Sequence, residues 1–338
     1  MIAPSISVVM AAFNAEAYVA EAIDSILKQT HADFEFIIIN DASTDKTLSV
    51  IKRFADERIV IIENEHNCGL AASLNKGIRL AKGKYIARMD ADDISSLDRF
   101  ERQYNFLESN TDVDVCVTPM QLFGSENNAS GEGLVTDNDI KAELIWGTPT
   151  NHATMLMLTE KIRTNNLYYD ESFGVGQDWK FWYDVRDYVK IYGLNELLYF
   201  YRRGDHNVTV QFKDKSKQRS LRMHELLLRD LEISFTQNDL LLHQFINGQF
   251  SIKPSPESVK SARVWYNKLI MQNKAILKYE VNSFEETAAK KWYRLFFLIT
   301  PYGFKTVCAY FISSGVSWNH FSYYLKYRVN KILGRKSI

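Results

Sequence analysis

The amino-acid sequence predicts an α/β domain built on a parallel sheet, followed by a helical C-terminal region. From Ile6 to about Cys116, short β-branched apolar runs alternate with longer helical stretches, which is the pattern of βαβ units. Beyond residue 212, leucines recur at the spacing of an amphipathic helix. The chain has 338 residues, of which 46% are hydrophobic and 24% charged, so it is long enough for two globular domains.

The predicted strands and helices alternate along the N-terminal half. The strands are Ile6–Met10, Phe36–Ile39, Ile59–Ile62 and Tyr85–Met89, and the helices are Ala17–Lys28, Thr44–Phe54 and Leu70–Ala81. These strands contain few polar residues, as expected of a parallel sheet that is covered on both faces. Ligands of such open sheets bind beyond the carboxyl ends of the strands, so the residues after each strand are the candidates for a site.

Composition and cysteine spacing exclude several classes of protein. Cys68, Cys116 and Cys308 are odd in number and far apart, which argues against a disulfide framework and against a CxxC zinc site. The N-terminus lacks a basic segment ahead of its apolar run, so we expect no secretory signal and a cytoplasmic location. Lysine plus arginine and aspartate plus glutamate both number 41, giving a net charge of zero.

An acidic segment, Asp90–Asp93, follows the fourth predicted strand. The chain has no GxxxxGK[ST] loop and no GxGxxG after a strand, which disfavours a P-loop NTPase and a dinucleotide-dependent dehydrogenase. Asp90 and Asp92 stand one residue apart at the end of a buried strand, where they could bind Mg²⁺ or Mn²⁺ and leave positions for diphosphate oxygens. The alternative is that Asp92, Asp93 and Ser95 cap the next helix.

Five motifs together resemble one enzyme family. They are Ile6–Asn14, Ser25–Thr30, Asn40–Asp45, Asn67–Leu70 and Asp90–Asp93. In this order and spacing they resemble the family 2 glycosyltransferases, inverting enzymes of the GT-A fold, and in particular those that build bacterial O-antigen, capsule and other surface polysaccharides. The resemblance extends from Ile6 to about His206.

The resemblance implies roles for residues of the N-terminal half. The nucleotide-sugar set is Ala12, Asn14, Glu16, Asp41, Asn67, Gly69, Arg88, Asp90, Asp93 and Arg202, and the metal set is Asp92 and His206. Within these sets Asp41 would meet the base edge and Asp90 the ribose, while Mn²⁺ or Mg²⁺ would be the cofactor. Simpler alternatives are a turn at Asn14, a helix cap at Asp41 and an exposed loop position for His206.

The resemblance also identifies a candidate catalytic base. Asp178 aligns with the carboxylate that removes the acceptor proton in the family, and Gln177 stands where the family usually has glutamate. Inverting transfer needs such a base as the acceptor oxygen attacks the anomeric carbon. Asp178 could instead serve at a helix N-terminus after Gly176. We also expect a loop over Gly124–Gly133, a strand that opens at His152, and a strand over Leu194–Tyr201, with His152 itself open to a structural role.

The C-terminal region is predicted to be helical and to approach a membrane. Helices are expected over Lys213–Gln244 and Glu257–Lys278, separated by Pro254 and Pro256. From Thr287 to Ile338 the chain has nine basic residues, thirteen aromatic residues and no acidic residue, a composition typical of interfacial helices on anionic lipid. The alternatives are a membrane-spanning segment over Leu295–Val316, nucleic-acid binding, and a packed helical core with a basic surface.

These observations combine into one prediction. A GT-A catalytic domain over residues 1–212, with a nucleotide-sugar half to about 116 and an acceptor half over 117–212, precedes a helical subdomain over 213–286 and membrane-apposed helices over 287–338. The expected reaction is β-glycoside formation from a UDP-sugar donor on a glycan or lipid-linked saccharide, at the cytoplasmic face of the membrane, without nucleic acid as a partner. The rival predictions are a catalytically inactive scaffold subunit and a metal-dependent nucleotidyltransferase.

Overall fold

The computed structural model describes residues 3–125, 129–130, 135–174, 176–204 and 213–314. The chain falls into two compact units, one ending at Ser220 and the other beginning at Leu221. The first unit is an α/β structure and the second is helical, which confirms the predicted fold class. The finer division of the chain at residues 212 and 286 stays a prediction.

The first unit is organised by a sheet of seven strands. The strands of the described residues are β1 Ile6–Ala12, β2 Phe34–Asn40, β3 Ile59–Glu63, β4 Tyr85–Asp90, β5 Ile94–Ser95, β6 Val115–Val117, β7 Met120–Gly124, β8 Ala129–Ser130, β9 Leu156–Leu158, β10 Ile191–Gly193 and β11 Tyr199–Arg203. The large sheet has the order β10-β6-β9-β4-β1-β2-β3. β1 is parallel to β2 and β4, and β9 runs antiparallel between β4 and β6. The four predicted N-terminal strands are confirmed.

Helices join the strands and cover the sheet. They are α1 Val19–Leu27, α2 Thr47–Ile51, α3 Leu70–Leu80, α4 Arg99–Ser109, α5 Asp137–Glu143, α6 Thr159–Thr164 and α7 Gln177–Val185. α3 lies against β1 and β2 at Gly77, where a Cβ atom would stand 2.5 Å from Val9 Cγ1. α2 begins later than predicted, because Asn14 Oδ1 accepts the Thr44 N–H and Asp45 Oδ1 accepts the Thr47 N–H.

Two predicted strands differ from the structure. His152 opens a short 3₁₀ helix, His152–Thr154, because the Asn151 side chain accepts the Ala153 N–H at 2.9 Å and turns the backbone before β9 begins. The strand predicted from Leu194 begins only at Tyr199, where pairing with β5 and β7 starts. The predicted loop over Gly124–Gly133 falls partly outside the described residues, with β8 inside it.

A smaller sheet places side chains beside the acidic segment. Its order is β5-β11-β7-β8, with β11 antiparallel to β5 and parallel to β7. β5 comes directly after the acidic segment, so pairing with β5 brings β11 alongside Asp92 and Asp93. The consequence is that Tyr199 and Arg202, which lie more than 100 residues further along the chain, reach the acidic segment.

The second unit consists of helices. α8 Lys213–Asp230 leads into it, followed by α9 Gln237–Ile246, α10 Pro256–Ile276, α11 Val281–Ile299 and α12 Phe304–Ser314. The single helix predicted over Lys213–Gln244 is wrong. Glu232 adopts a positive φ of 51°, and Thr236 and Asp239 form a reciprocal capping box that starts α9. Side-chain capping therefore overrides the continuous leucine pattern.

The aromatic residues of the second unit divide into buried and exposed sets. Trp292 and Tyr310 are buried and stack at 5.1 Å between ring centroids, so this part of the predicted interfacial set belongs to a core. Phe304 is 81% exposed and Ile312 is 80% exposed. Among the described helices, none combines the length and the apolar character needed to cross a membrane. The predicted aromatic and basic residues after Ser314 lie outside the described residues.

Candidate active site

A cavity of about 1050 Å³ opens at the carboxyl ends of the central strands. Its wall combines the segments that follow β1, β2, β3 and β4 with the segment before β9 and the start of α7. The predicted site residues that line it are Ala12, Asn14, Asp41, Asn67, Gly69, Arg88, Asp90, Asp92 and Asp178. Ala12 and Asp178, which are 166 sequence positions apart, thus meet in one space, as expected for ligand sites at the carboxyl ends of parallel strands.

Asp41 holds the loop after β3. The side chain is buried, its Oδ1 accepts hydrogen bonds from Cys68 N and Asn64 Nδ2 at 2.9 and 2.8 Å, and its Oδ2 accepts the Gly69 N–H at 2.9 Å. An ionised carboxylate has about four acceptor positions, so Asp41 can fix this loop and still offer a lone pair to a base. Asn67 and Gly69 owe their position at the cavity to this contact.

Asn14 and Glu16 join the loop after β1 to the loop after β2. Asn14 has a positive φ of 48°, and its Oδ1 accepts the Thr44 N–H at 2.9 Å. Glu16 accepts the Lys46 N–H through Oε2 at 2.8 Å, and its own N–H donates to Asp45 Oδ2. Asn14 lines the cavity whereas Glu16 does not. The predicted role of Glu16 at the nucleotide stays a prediction.

The acidic segment presents two carboxylates to the cavity. Asp90 lies at the end of β4 and forms an ion pair with the buried guanidinium of Arg88. Although burial lowers the pKa of Arg88, the neighbouring Asp90 carboxylate is among the groups that raise it overall, so Arg88 is a permanent cation. Asp92 follows two residues later and also lines the cavity. The side chains of Asp90 and Asp92 therefore border the same space.

Asp93 lies beneath the cavity rather than in its wall. Its Oδ2 accepts the Tyr199 O–H at 2.8 Å and its Oδ1 accepts the Arg202 N–H at 2.7 Å. Tyr199 in turn accepts the Asp90 N–H at 3.2 Å, which couples β4 to β11. Burial, together with the nearby Asp90 and Asp92 carboxylates, raises the pKa of Asp93 well above its usual range. Asp93 therefore joins the acidic segment to β11 and does not line the cavity.

Arg202 also holds the acidic segment in place. Its guanidinium lies between the rings of Tyr18 and Phe123, at 4.6 and 4.4 Å from their centroids. Its Nε donates to the Asp92 carbonyl at 2.7 Å, and its Nη2 pairs with Glu21. The cavity wall includes Arg203 but not Arg202. Its predicted contact with the donor stays a prediction.

Asp178 enters the cavity from the first turn of α7. The side chain is half-buried, and its Oδ1 lies 2.8 Å from the Trp179 N–H. Burial raises the pKa of Asp178 above its usual value, and backbone hydrogen bonding and the charge of Arg88 oppose the rise. A raised pKa makes the carboxylate a better proton acceptor. Gln177 lines the cavity beside it.

Two tryptophans fix the helix that carries Asp178. The indole N–H of Trp179 donates to the Leu144 carbonyl, and that of Trp182 donates to the Thr150 carbonyl, both at 2.9 Å. The aromatic residues after Asp178 therefore anchor α7 to the chain around Leu144 and Thr150, and Thr150 lines the cavity. This anchoring explains why a carboxylate next to an aromatic-rich helix is a useful sequence signal.

Several cavity residues had no assigned role from sequence. Glu171 follows no predicted strand and has no motif around it, so no sequence signal marks it, yet it lines the cavity and accepts the Asn75 Nδ2–H at 2.9 Å. His152 could have been found from the motif that opens with it, and it is buried at the cavity wall.

The donor set suits a hard divalent cation. Asp90 and Asp92 supply carboxylate oxygens at one wall, and Mg²⁺ or Mn²⁺ is commonly held by one or two carboxylates plus substrate phosphates. No cluster of three histidine, cysteine, aspartate or glutamate side chains suited to a metal occurs within the described residues. A two-carboxylate site completed by diphosphate oxygens fits these residues. The predicted ligand His206 lies outside the described residues.

Comparisons with known proteins agree with this geometry. Residues 7–179 match the family model described as Glycosyl transferase family 2. The chain is 34% identical over 211 residues to an uncharacterized glycosyltransferase of Haemophilus influenzae, covering 59% of this chain and 65% of the relative. It is 36% identical over 104 residues to the UDP-Glc:α-D-GlcNAc-diphosphoundecaprenol β-1,3-glucosyltransferase WfaP of Escherichia coli, covering 31% of this chain and 41% of the relative. The chain thus spans less than two thirds of the length of these relatives.

Solved structures share the fold at low sequence identity. Staphylococcus aureus TarS 1–349 in complex with UDP superposes with a TM-score of 0.56 at 16% identity, covering 90% of this chain and 89% of that one. The mannosyltransferase PcManGT of Pyrobaculum calidifontis, in complex with GDP-Man and Mn²⁺, gives a TM-score of 0.55 at 16% identity, covering 93% and 87%. These likenesses confirm the predicted GT-A fold class.

Proposed function

The chain belongs to glycosyl transferase family 2, and on that premise we propose that it transfers a sugar with inversion from a nucleoside-diphosphate donor to a saccharide acceptor. The observation that carries the proposal is the cavity itself, which brings the carboxylates of Asp90 and Asp92 into one space with that of Asp178. An acidic pair for the diphosphate side and a separate base for the acceptor side are what the reaction needs.

Asp178 acts as the general base in this proposal. Its carboxylate takes the proton of the acceptor hydroxyl while the hydroxyl oxygen bonds to the anomeric carbon from the face opposite the leaving group. The bond from that carbon to the diphosphate oxygen breaks, and the nucleoside diphosphate departs with the electron pair. An α-linked donor therefore yields a β-glycoside. The raised pKa of Asp178 supports this role.

Asp92, with Asp90 beside it, is the group that would hold Mn²⁺ or Mg²⁺. A divalent cation bound there supplies charge neutralisation for the departing diphosphate. The residues of this chain prepare the site: Tyr199 and Arg202 fix the backbone of the acidic segment through Asp93 and the Asp92 carbonyl. Arg203, in the cavity wall, adds positive charge near the leaving group.

We propose UDP-sugar as the donor and a glycan or lipid-linked saccharide as the acceptor, in the synthesis of surface polysaccharide. The support comes from relatives: WfaP is named for UDP-Glc and a diphosphoundecaprenol-linked acceptor, and TarS was solved with UDP. On the side of this chain, Asp41 and Asn67 line the part of the cavity that follows β2 and β3, where the base would lie.

The proposal includes peripheral attachment to the cytoplasmic face of an anionic membrane. Phe304, Phe311 and Ile312 of α12 are exposed, and their spacing places them on one face of the helix. Lys305 is exposed next to Phe304. Apolar side chains flanked by basic residues favour a lipid interface.

A substitution pair tests the membrane attachment. Deleting the chain after Glu286 would not test the attachment alone, because the deletion also removes the buried Trp292 and Leu295. The double variant F304S/I312S should lower binding to phosphatidylglycerol vesicles by about tenfold or more, since a buried Phe or Ile contributes roughly 1.5–3 kcal/mol. The control is V264S/M271S in α10, where both residues are 71% exposed. Equal loss in both variants, or no loss in the first, would reject the proposed surface.

The transferase activity is tested by a donor screen. UDP-, GDP- and dTDP-sugars are incubated with the protein and Mn²⁺, and release of nucleoside diphosphate is measured with and without candidate acceptors. Release that depends on Mn²⁺ and on Asp178 supports the proposal. Release of pyrophosphate instead would favour a nucleotidyltransferase, and no release with any donor would favour a scaffold protein.

A further inference from the structure

His152 is held rigidly at the cavity wall. Arg99 Nη2 donates to the Ala153 carbonyl at 2.9 Å, and Gln103 Nε2 donates to the Thr154 carbonyl at 2.8 Å. Both donors are buried on α4, so the 3₁₀ turn that begins with His152 is fixed from behind. A side chain on such a turn has a defined direction, which is what a residue that recognises a ligand requires.

The partner of His152 sets its tautomer. Nδ1 lies 2.9 Å from the hydroxyl of Tyr169, which is itself buried. Within the part of the chain that the structure describes, Nδ1 is the only acceptor in reach of this hydroxyl, and a buried O–H without an acceptor is costly. We therefore assign the hydroxyl as the donor to Nδ1, which places the imidazole proton on Nε2.

Nε2 is the ring nitrogen of His152 that remains for a ligand. His152 lines the cavity, and the described residues provide no hydrogen-bond partner for Nε2. Burial, with a contribution from the charge of Arg88, holds the pKa of His152 well below its usual value. The imidazole is therefore neutral, and its single N–H, on Nε2, remains for a ligand in the cavity.

The same contacts place His152 near the catalytic helix. The ring of Tyr169 stacks on Phe181 with 4.4 Å between centroids, and Phe181 lies one turn after Asp178 on α7. In the proposed reaction, the diphosphate lies toward Asp92 and the acceptor oxygen lies toward Asp178. The transferred sugar would then lie between them, in the cavity that His152 also lines.

We propose that the Nε2–H of His152 donates a hydrogen bond to a hydroxyl oxygen of the transferred sugar, so that His152 is a specificity-determining residue. A neutral N–H suits a sugar hydroxyl, whereas the diphosphate is better served by cations. The inference rests on the proposed function, because it needs a sugar donor in this cavity. It assigns to His152 recognition of the sugar, without a part in proton transfer.

Two amide variants distinguish the role of Nε2 from that of Nδ1. In H152Q the amide nitrogen can occupy the place of Nε2, whereas in H152N it falls near Nδ1. The assay measures kcat/KM with the donor that the wild type uses best among UDP-glucose, UDP-GlcNAc and GDP-mannose, and the Kd of the matching nucleoside diphosphate. We expect H152N and H152A to lose about tenfold or more in kcat/KM. H152Q should stay within about threefold, and the Kd of the nucleotide should not change.

The Y169F variant tests the assigned tautomer. Without the phenol hydroxyl the imidazole can place its proton on either nitrogen, so Y169F should lose activity by less than H152A and leave the nucleotide Kd unchanged. Thermal unfolding of each variant shows whether the fold survives. If H152A does not fold, the comparison of H152Q with H152N decides.

The possible failures are distinct. If the wild type binds no nucleotide and turns over no donor, the proposed function fails and the inference fails with it. If the wild type is active and H152N matches it in kcat/KM, only the role of His152 is overturned. Equal losses in H152Q and H152N, with a weaker nucleotide Kd in both, would show a structural role and also overturn the inference.

Discussion

Two regions of the cavity wall use the same kinds of polar residue in different ways. In the loop region after β1–β3, Asn14 and Asp41 direct their oxygens at backbone N–H groups of neighbouring loops. In the catalytic region, Asp92 and Asp178 line the cavity, and Asp178 has a raised pKa. A polar residue of the cavity wall can therefore build the site or perform its chemistry, and hydrogen bonds to the backbone of neighbouring loops mark the residues that build it.

The largest expected effect belongs to Asp178. The D178N variant keeps the shape of the side chain but removes its basicity, so transfer should fall by about 10²-fold or more while donor binding persists. Single-turnover transfer and calorimetric titration with the nucleotide measure the two quantities. If turnover stays within a few-fold of the wild type, the base lies elsewhere and the catalytic region is misassigned.

Asp92 should affect binding rather than the fold. In D92A, the part of nucleotide affinity that depends on Mn²⁺ should disappear, because the acidic pair loses a ligand, while thermal unfolding stays close to that of the wild type. Titration of UDP with and without Mn²⁺ provides the measurement. A folded variant whose affinity still rises with Mn²⁺ to the wild-type extent would contradict the role of Asp92 as a ligand.

Substitution of Asp41, in contrast to substitution of Asp92, should lower the stability of the fold. D41N places an N–H₂ group toward backbone donors in a buried site, so we expect a loss of about 1–3 kcal/mol in the free energy of unfolding. D178N is the matched control, since replacing a carboxylate of raised pKa by a neutral amide should leave stability unchanged or raise it. Urea unfolding of both proteins measures the contrast, and equal destabilisation would erase the distinction between the two regions.

The sequence was informative where local chemistry decides the structure. The strand ends, the acidic segment and Asp178 could be located because short buried runs and motif spacing depend on neighbouring residues. The second sheet could not be foreseen, since pairing of β11 with β5 depends on contacts between residues about 100 positions apart. For the same reason, the support of the acidic segment by Tyr199 was not predictable. In the helical unit, the leucine pattern concealed the cap at Thr236.

The smallest expected effect is a displacement of the pH profile. Transfer needs Asp178 as a carboxylate, so kcat/KM should fall as the pH drops through the pKa of Asp178, and this acid limb should lie above the ordinary aspartate value of 3.8. His152 should not add a limb near its ordinary value of 6.5, because burial and Arg88 hold the pKa of His152 well below that value. Profiles of the wild type and H152Q at saturating Mn²⁺ should therefore share one acid limb. A limb near 6.5 that is present in the wild type and absent in H152Q would mean that His152 changes charge during turnover, and would move it from sugar recognition into the acid–base chemistry of the catalytic region.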